Sequence, residues 1–569
     1  MNRNETLAAL RERPDIAVLV IGGGINGISV FRELALQGVD VVLADKGDYC
    51  SGASAALSRM VHGGLRYLEN GEFKLVRESL VERDRLLKNA PHYVAPLPTT
   101  VPIFDTFSGI ANGAVRFLGL TRRPSRRGAL VIKAGLTMYD LFTAARRLMP
   151  THQFRGRTDT LKTWPAINSA IRSSATYYDA WVSRPERLGL EMLFDTVTAA
   201  SSARALNYAA VASTDAGLAL IDTLTEETLP LRPQLIVNAT GGWIDLTNNA
   251  IGATAQKMMG GTKGSHLIVD NAELYDALGG HMVYYENEDG RICILFPYLG
   301  KVLIGSTDIR VDNPDEVRCE DDERSYILQS LAFVFPSIVI ADNEIVFRFA
   351  GVRPLPASED SFTGRIPRDH FCEFVEPSGH LPATLCMIGG KWTTFRSFGE
   401  MAANMALERL GLNRSKGTED LAIGGGRNFP ADPEKWCASL AEQHRLSLER
   451  AHMLLERYGT SAEGFAQLTA DQMLPRSDYS VGEVRLIIER EQVECLADIF
   501  LRRTTIAISG GLSLALIDAV LDILAAHKGW DVDQAATERT AFLVLLAHQH
   551  GVDLSDLSQT NDKRSALCA

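Results

Sequence analysis

The chain has 569 residues, 46% of them hydrophobic and 22% charged, and a formal net charge of −12. That apolar content supports a large core divided among two or three domains, and the acidic balance argues against nucleic acid as the main partner. The 8 cysteines form no C-x-x-C pair and no cluster with histidine at metal-ligand spacing, so no metal or iron–sulfur module is expected. Residues 1–14 are polar and lack an apolar h-region. They read as a poorly ordered tail with no signal peptide.

From Asp15 the sequence runs D-I-A-V-L-V-I-G-G-G-I-N-G. Ile16, Val18, Leu19, Val20 and Ile21 form an apolar, β-branched run suited to a buried parallel strand. Gly22, Gly24 and Gly27 follow at G-x-G-x-x-G spacing, for a tight turn, close approach to a pyrophosphate, and close helix–strand packing. A helix opening near Asn26 would present free N–H groups and a positive dipole to the phosphates. Gly38 stops that helix, and a second strand, Val39 to Ala44, ends at Asp45, placed to hold a ribose hydroxyl. The series predicts a dinucleotide site.

The loop after Asp45, rich in Ser, Gly and Ala and including Ser58, suits close packing against a flat ring system. Residues 61–69 read V-H-G-G-L-R-Y-L-E, where His62, Arg66 and Tyr67 offer a proton acceptor, an anion fork and a hydroxyl. An amphipathic helix is predicted over 72–90, with Phe73, Val76, Leu80 and Leu87 on its apolar face and Pro91 as its stop. Pro91 to Pro102 reads as an extended connection into another domain. Residues 115–133 interleave five arginines and a lysine with Phe117, Leu118, Leu120 and Leu130, a composition that suits an anionic membrane surface or a solvated loop. Another apolar strand ends in Ala239-Thr240-Gly241, and residues 281–308 alternate as antiparallel strands. Arg353 lies in G-V-R-P-L and Arg368 in I-P-R-D-H. Lys391 follows Gly389-Gly390 in G-G-K-W-T-T-F-R, which opens a helical run. From about 411 the texture is helical, and the Gly-rich stretch 422–430 reads as the linker. The most apolar stretch, 506–526, is interrupted by Asp518 and Asp522 and predicts a buried helix rather than a membrane span.

Five blocks together, I-G-G-G-I-N-G (21–27), H-G-G-L-R-Y-L-E (62–69), N-A-T-G (238–241), G-V-R-P-L (351–355) and G-G-K-W-T-T-F-R (389–396), resemble the FAD-dependent glycerol-3-phosphate dehydrogenase family. K-G-S-H-L-I-V (263–269) and L-I-G-S-T-D (303–308) resemble it more weakly. The resemblance covers roughly residues 15–410. It implies an α/β fold: a glutathione-reductase-type FAD-binding domain, discontinuous over about 15–90, 150–245 and 345–410. A D-amino-acid-oxidase-like antiparallel substrate domain would occupy about 91–149 and 246–344, with a helical C-terminal domain over 411–569. It implies FAD held by Gly22, Gly24, Asn26, Gly27, Asp45, Ser58, Gly241, Gly390 and Thr393. Catalysis falls to His62, Arg353 and Lys391, and substrate binding to Arg66, Tyr67, Arg368 and His266, with His266 the rival base to His62.

The implied reaction is oxidation of glycerol 3-phosphate, with electrons passed to quinone at the inner face of the cell membrane by a cytoplasmic, peripherally attached protein; a homodimer is left open. Two departures bear on the substrate. Arg59 stands where the family has Lys, and Ser183-Arg184-Pro185-Glu186 replaces acidic residues before Arg187. Another polyol phosphate such as an erythritol phosphate, or O₂ as acceptor, are the alternatives. A non-catalytic flavoprotein sensor would have no reason to keep Arg66, Arg353 and Lys391 together.

Overall fold

The computed structural model describes residues 3–64, 72–105, 136–137, 149–287, 289–357, 369–468 and 472–559. Arg66, Tyr67, Arg368 and the basic segment 115–133 lie outside the described residues. The first sheet has six strands: β1 (Asp15–Ile21), β2 (Val41–Ala44), β7 (Ala203–Leu206), β11 (Arg232–Asn238), β18 (Phe371–Val375) and β19 (Thr384–Ile388), in the order β18-β19-β11-β1-β2-β7. All its neighbours are parallel except the β18–β19 pair. The second sheet has ten strands: β3 (Met60–Val61), β4 (Val94–Ile103), β5 (Gln153–Gly156), β6 (Ser173–Val182), β12 (Thr262–Val269), β13 (Met282–Glu286), β14 (Ile292–Tyr298), β15 (Lys301–Gly305), β16 (Ile309–Arg310) and β17 (Ile345–Arg353). It is antiparallel apart from β4 beside β13. A small third sheet contains β8 (Ala209–Thr214), β9 (Gly217–Asp222) and β10 (Thr228–Pro230).

The opening unit folds as its pattern dictates. β1 is buried and feeds α2 (Ile25–Leu36), whose Ile28, Phe31 and Leu34 pack under the six-stranded sheet. A Cβ on Gly27 would sit 1.8 Å from the Gly22 carbonyl oxygen, so this helix can lie on this strand only with glycine there. α3 (Phe73–Asn89) matches the predicted helix and buries Val76 and Leu80, but Phe73 is 47% exposed and instead marks its solvent end. α4 (Pro185–Ala199) and α5 (Phe395–Arg409) complete the layer on the same core. The segment 281–308 forms β13, β14 and β15 as an antiparallel run. Of the segment expected to be extended, Pro91 to Tyr93 form a turn and Val94 to Pro102 are extended as most of β4, a long internal strand of the ten-stranded sheet. β6 and β17 fall within segments assigned above to the FAD-binding part, yet they pair in the ten-stranded sheet.

Two readings are corrected. The first residues do not form a loose tail: α1 (Arg3–Glu12) buries Leu7 and Leu10, and Arg3 makes two 2.9 Å bonds to the Asp222 carboxylate. The Gly-rich stretch near 422–430 is not a slack linker. Gly424 and Gly425 donate to Asp195 and Glu191 of α4 at 2.7 and 3.1 Å, and Ile423 donates to the Asn89 carbonyl at 2.8 Å.

Beyond it lie helices Pro433–His444, Leu448–Tyr458 and Val481–Arg490, then α6 (Leu514–Lys528) and α7 (Val532–His550). α6 realises the predicted buried helix: Leu516, Ile517 and Val520 pack on Phe296 and Phe347 of the ten-stranded sheet, and Asp518 pairs with Arg539. No helix among the described residues is long and apolar enough to cross a membrane.

The deepest joint between the FAD-binding layer and the C-terminal helices is ionic. Asp48, in the loop after β2, is fully buried and accepts bonds from Arg502, Arg503 and Asn207. Burial alone would raise its carboxyl pKa, but the two guanidinium groups overcome that and hold it below the usual range. Removing one partner of such a buried pair strands the other, at a cost of about 3–5 kcal/mol. Asp48→Ala is therefore expected to lower stability by roughly that amount in urea unfolding. An unchanged midpoint would mean that this joint does not hold the domains together.

Candidate active site

A cavity of about 790 Å³ runs between the two large sheets. Its walls come from the β1–α2 turn, the loop after β2, the His62–Gly64 turn, the segment after β11, the inner strands of the ten-stranded sheet and the turn before α5. Gly22, Gly24, Asn26, Asp45, Ser58, Gly241, Gly390 and Thr393 all line it, as do His62, His266, Arg353 and Lys391. Of the predicted cofactor residues, Gly27 stands apart. It serves the helix–strand contact and does not face the cavity.

At one end, α2 points its N-terminus into the cavity. Its N-cap, Gly24, supplies no side-chain cap, while the Ile25 amide donates to Ser54 Oγ at 2.9 Å. Asn26 Oδ1 is buried without a hydrogen-bond partner. Asp45 accepts from the Gly23 and Gly47 amides at 2.6 and 2.9 Å, so it shapes the glycine turn as well as facing the cavity. Burial raises its pKa to about 6 against those two amides. A helix N-terminus facing the cavity fits the pyrophosphate of a dinucleotide, and the Asn26 amide oxygen and the Asp45 carboxylate, both acceptors, fit its hydroxyl and N–H groups. At the rim, Asp315 accepts from Lys46 Nζ at 2.8 Å and Trp243 Nε1 at 2.7 Å, bridging the two large sheets' domains.

The other end carries the reactive groups. The His62 amide donates to Thr393 Oγ1 at 3.2 Å, joining the H-G-G turn to the G-G-K-W-T-T turn across 331 residues of sequence. Arg353, at the end of β17, donates to Asp308 Oδ1, Ser306 Oγ and the Thr307 carbonyl, each at 3.0 Å. A Cβ on Gly264 would come within 2.1 Å of its Nη2, so a side chain there would displace the guanidinium from this position. Lys391 Nζ lies 3.5 Å from Ser79 Oγ of α3. Beside it, Glu78, Asp369 and His370 bring ligand-type atoms within 4.8 Å of one another; Glu78 also accepts from Ser397 Oγ.

His266 is 1% exposed, stacks on Phe349 at 4.9 Å, and meets Ser58 Oγ through Nε2 at 2.8 Å. Burial lowers its pKa to about 3, with the Arg353 and Arg59 charges acting the same way, so the imidazole is neutral. Ser58, expected at the cofactor, is thus also the partner of this histidine. Asp179, Tyr177 and Asp308 line the cavity too, and the sequence analysis did not select them. For Asp179 the available signal was a lone acid in the strand S-S-A-T-Y-Y-D-A-W-V; Asp308 lay in plain view in L-I-G-S-T-D.

The two sequence departures lie outside the cavity lining. Arg59 is 2% exposed, pairs with Glu186 at 2.7 Å and sits over the Tyr298 ring. Arg184 and Arg187 pair with Glu456 and Glu491 of the C-terminal domain.

Comparison with known proteins identifies the family. The family model described as FAD dependent oxidoreductase matches residues 17–396, and that for the C-terminal domain of alpha-glycerophosphate oxidase matches residues 416–535. A glycerol-3-phosphate dehydrogenase from Synechocystis is 31% identical over 546 residues, covering 91% of this chain and 94% of that protein. The D-erythritol 1-phosphate dehydrogenase of Brucella abortus is 30% identical over 500 residues, covering 86% and 93%. The fold is shared with the glycerol-3-phosphate dehydrogenase from Bacillus halodurans complexed with FAD, at TM-score 0.74 and 22% identity, over 97% of this chain and 98% of that one. The chain is an enzyme, an FAD-dependent oxidoreductase with mixed sheets and a helical C-terminal domain, and it belongs to the FAD-dependent glycerol-3-phosphate dehydrogenase family.

Proposed function

We propose that this enzyme oxidises sn-glycerol 3-phosphate to dihydroxyacetone phosphate and passes the electrons to membrane quinone. The observation that carries this reading is the convergence of Arg353, Lys391 and two imidazoles on one end of a cavity whose other end fits a dinucleotide. The Synechocystis relative, similar over nearly its whole length, supports glycerol 3-phosphate. The Brucella relative supports D-erythritol 1-phosphate as the second reading. In fold terms the reading is a glutathione-reductase-type FAD domain with a D-amino-acid-oxidase-like substrate sheet, supported by the parallel core of one sheet and the antiparallel character of the other.

Bound FAD supplies the acceptor for the carbinol hydride. The chain's own residues do the rest. The Arg353 guanidinium and Lys391 ammonium hold the phosphate dianion, Arg353 in a fixed orientation because Asp308 and Ser306 brace it. An imidazole takes the hydroxyl proton. We assign that step to His62, because burial beside Arg353 and Arg59 leaves His266 too weakly basic to drive it near neutral pH. His266 then serves as a neutral hydrogen-bond partner. Electron delivery to quinone places the protein at a membrane surface. With no spanning helix among the described residues, the Arg- and Leu-rich segment 115–133 is the proposed attachment.

Anaerobic bleaching of the flavin by sn-glycerol 3-phosphate, D-erythritol 1-phosphate and unphosphorylated glycerol tests the substrate. Glycerol 3-phosphate should reduce it fastest and glycerol not at all. Arg353→Ala should retain FAD and lose about 10- to 100-fold in kcat/KM, the worth of one charge-assisted phosphate contact. Full activity in that variant would remove Arg353 from the phosphate site.

The two histidines separate by activity and by pH. His62→Asn should lower kcat more than His266→Asn; the reverse order would transfer the base role. A pKa depressed in the folded state gives His266 a contribution to stability that is present above its unfolded value of about 6.5 and lost as pH falls toward 3. Wild type should therefore lose more stability between pH 7 and 4 than His266→Gln, and parallel pH dependences would contradict a buried neutral imidazole.

Attachment through 115–133 predicts cosedimentation with anionic liposomes that weakens with salt, since surface charges are screened over about 8 Å at physiological ionic strength. Replacing Arg122, Arg123, Arg126 and Arg127 by Gln should reduce it while sparing activity with a soluble dye. Binding insensitive to both changes would place attachment elsewhere.

A further inference from the structure

Asp179 is a buried carboxylate, 1% exposed, that lines the reactive end of the cavity. It sits on β6 two residues after Tyr177, and the alternation of a strand places both on the cavity side. Its Oδ1 accepts from the Gly63 amide at 2.7 Å and from Arg83 Nη1 at 3.2 Å. Arg83, on α3, is 3% exposed and makes two further bonds to Asp84, at 3.1 and 2.9 Å. One carboxylate oxygen thus joins β6 and α3 to the middle of the H-G-G turn.

Just before the turn, Met60 and Val61 pair with Trp181 and Ala180 of β6, so the chain enters it from a fixed strand. Gly63 and Gly64 carry no side chain, and Gly64 has φ of +81°. The His62 amide is held by Thr393 Oγ1 on one side, and the next amide, Gly63, by Asp179 on the other. Two successive amides bound to two different walls set the orientation of the peptide between them, and with it the direction of the His62 side chain. A short, charge-assisted bond from a buried carboxylate to a glycine amide is stronger than a neutral one and leaves little play.

We propose that Asp179 is a positioning residue for the reaction: through the Gly63 amide it holds the turn that presents the His62 imidazole to the substrate carbinol. The proposal rests on the reading of this cavity as the polyol-phosphate site. Asp179 itself takes no proton from substrate; its contribution is geometric, and geometry is what proton transfer from a bound alcohol demands. A displacement of about 1 Å at such a centre lowers the rate on the order of 100-fold.

Two substitutions separate shape from charge. Asp179→Asn keeps an oxygen acceptor at the same length and loses the charge. Asp179→Glu keeps the charge and pushes the oxygen outward by one methylene. Both holoenzymes are purified, their FAD content is measured after denaturation, and flavin bleaching is followed anaerobically against concentration of the polyol phosphate that reduces wild type. D179N, with its acceptor in place and its charge gone, should lose less of the limiting rate than D179E. D179E should lose about 10- to 100-fold in limiting rate with little change in half-saturation and full FAD content. D179E as fast as wild type, D179N as slow as D179E, or an effect confined to half-saturation would overturn the proposal. If no polyol phosphate bleaches wild type, the substrate reading fails on its own. The positioning claim is then decided by the crystal structure of D179E, which supports it if the His62–Gly64 turn has moved and refutes it if the turn is unchanged.

Discussion

Much of this molecule depends on one buried carboxylate. Asp48 sits in the loop that leaves β2 at Asp45 and lines the cavity from Asp45 to Ser58. A loop of Ser, Gly and Ala has few side chains with which to hold itself, and a loop that must wrap a flat ligand cannot bury many. The fold solves this by gripping the loop from behind, with Arg502 and Arg503 closing on Asp48 and Asn207 supplying a third bond. Such a buried pair adds little net stability over an apolar contact, but it is very intolerant of partial loss. The shape of the cofactor loop is thereby made conditional on the C-terminal helices being in place.

The same logic recurs at smaller scale. Arg59 on Glu186, Arg187 on Glu491 and Arg450 and Arg457 on Glu483 are all buried ion pairs, and several join segments far apart in the chain. Arg59 and Arg184 had drawn attention as departures from the family pattern that bear on the substrate, and Arg187 follows them as the matching residue. Their partners show that they serve the seam between domains, so the unusual residues there report on how this chain is assembled more than on what it oxidises.

What could be read from the sequence was whatever is local. The strand–glycine–helix–strand opening, α3, the 281–308 hairpins and α6 each carry their signal within a window of some twenty residues, because periodicity and turn chemistry are short-range. The cavity lining was legible for the same reason: Gly22, His62, Arg353 and Lys391 each sit in a dense motif. What was missed depends on distant partners. α1 shows few apolar positions, and its anchor is Asp222, which no local rule connects to Arg3. The glycines at 424–426 look like slack, whereas they are there because Glu191 and the Tyr458 carbonyl leave no room for a side chain. Asp179 is an acid in a strand until the fold brings Gly63 and Arg83 to it.

The grip on Asp48 also has a direction in time. Asp48 precedes Arg502 by 454 residues along the chain. At a synthesis rate of roughly 5–20 residues per second, that separation corresponds to about 20 to 90 seconds on the ribosome. During that interval the β1–α2–β2 unit can form, since it is complete before Asp48 is made, while the loop that lines the cavity still lacks its rear anchor. This wall of the cavity therefore takes its final shape only once Arg502 and Arg503 are in place, and a chain arrested before them would carry the glycine turn with that wall unanchored.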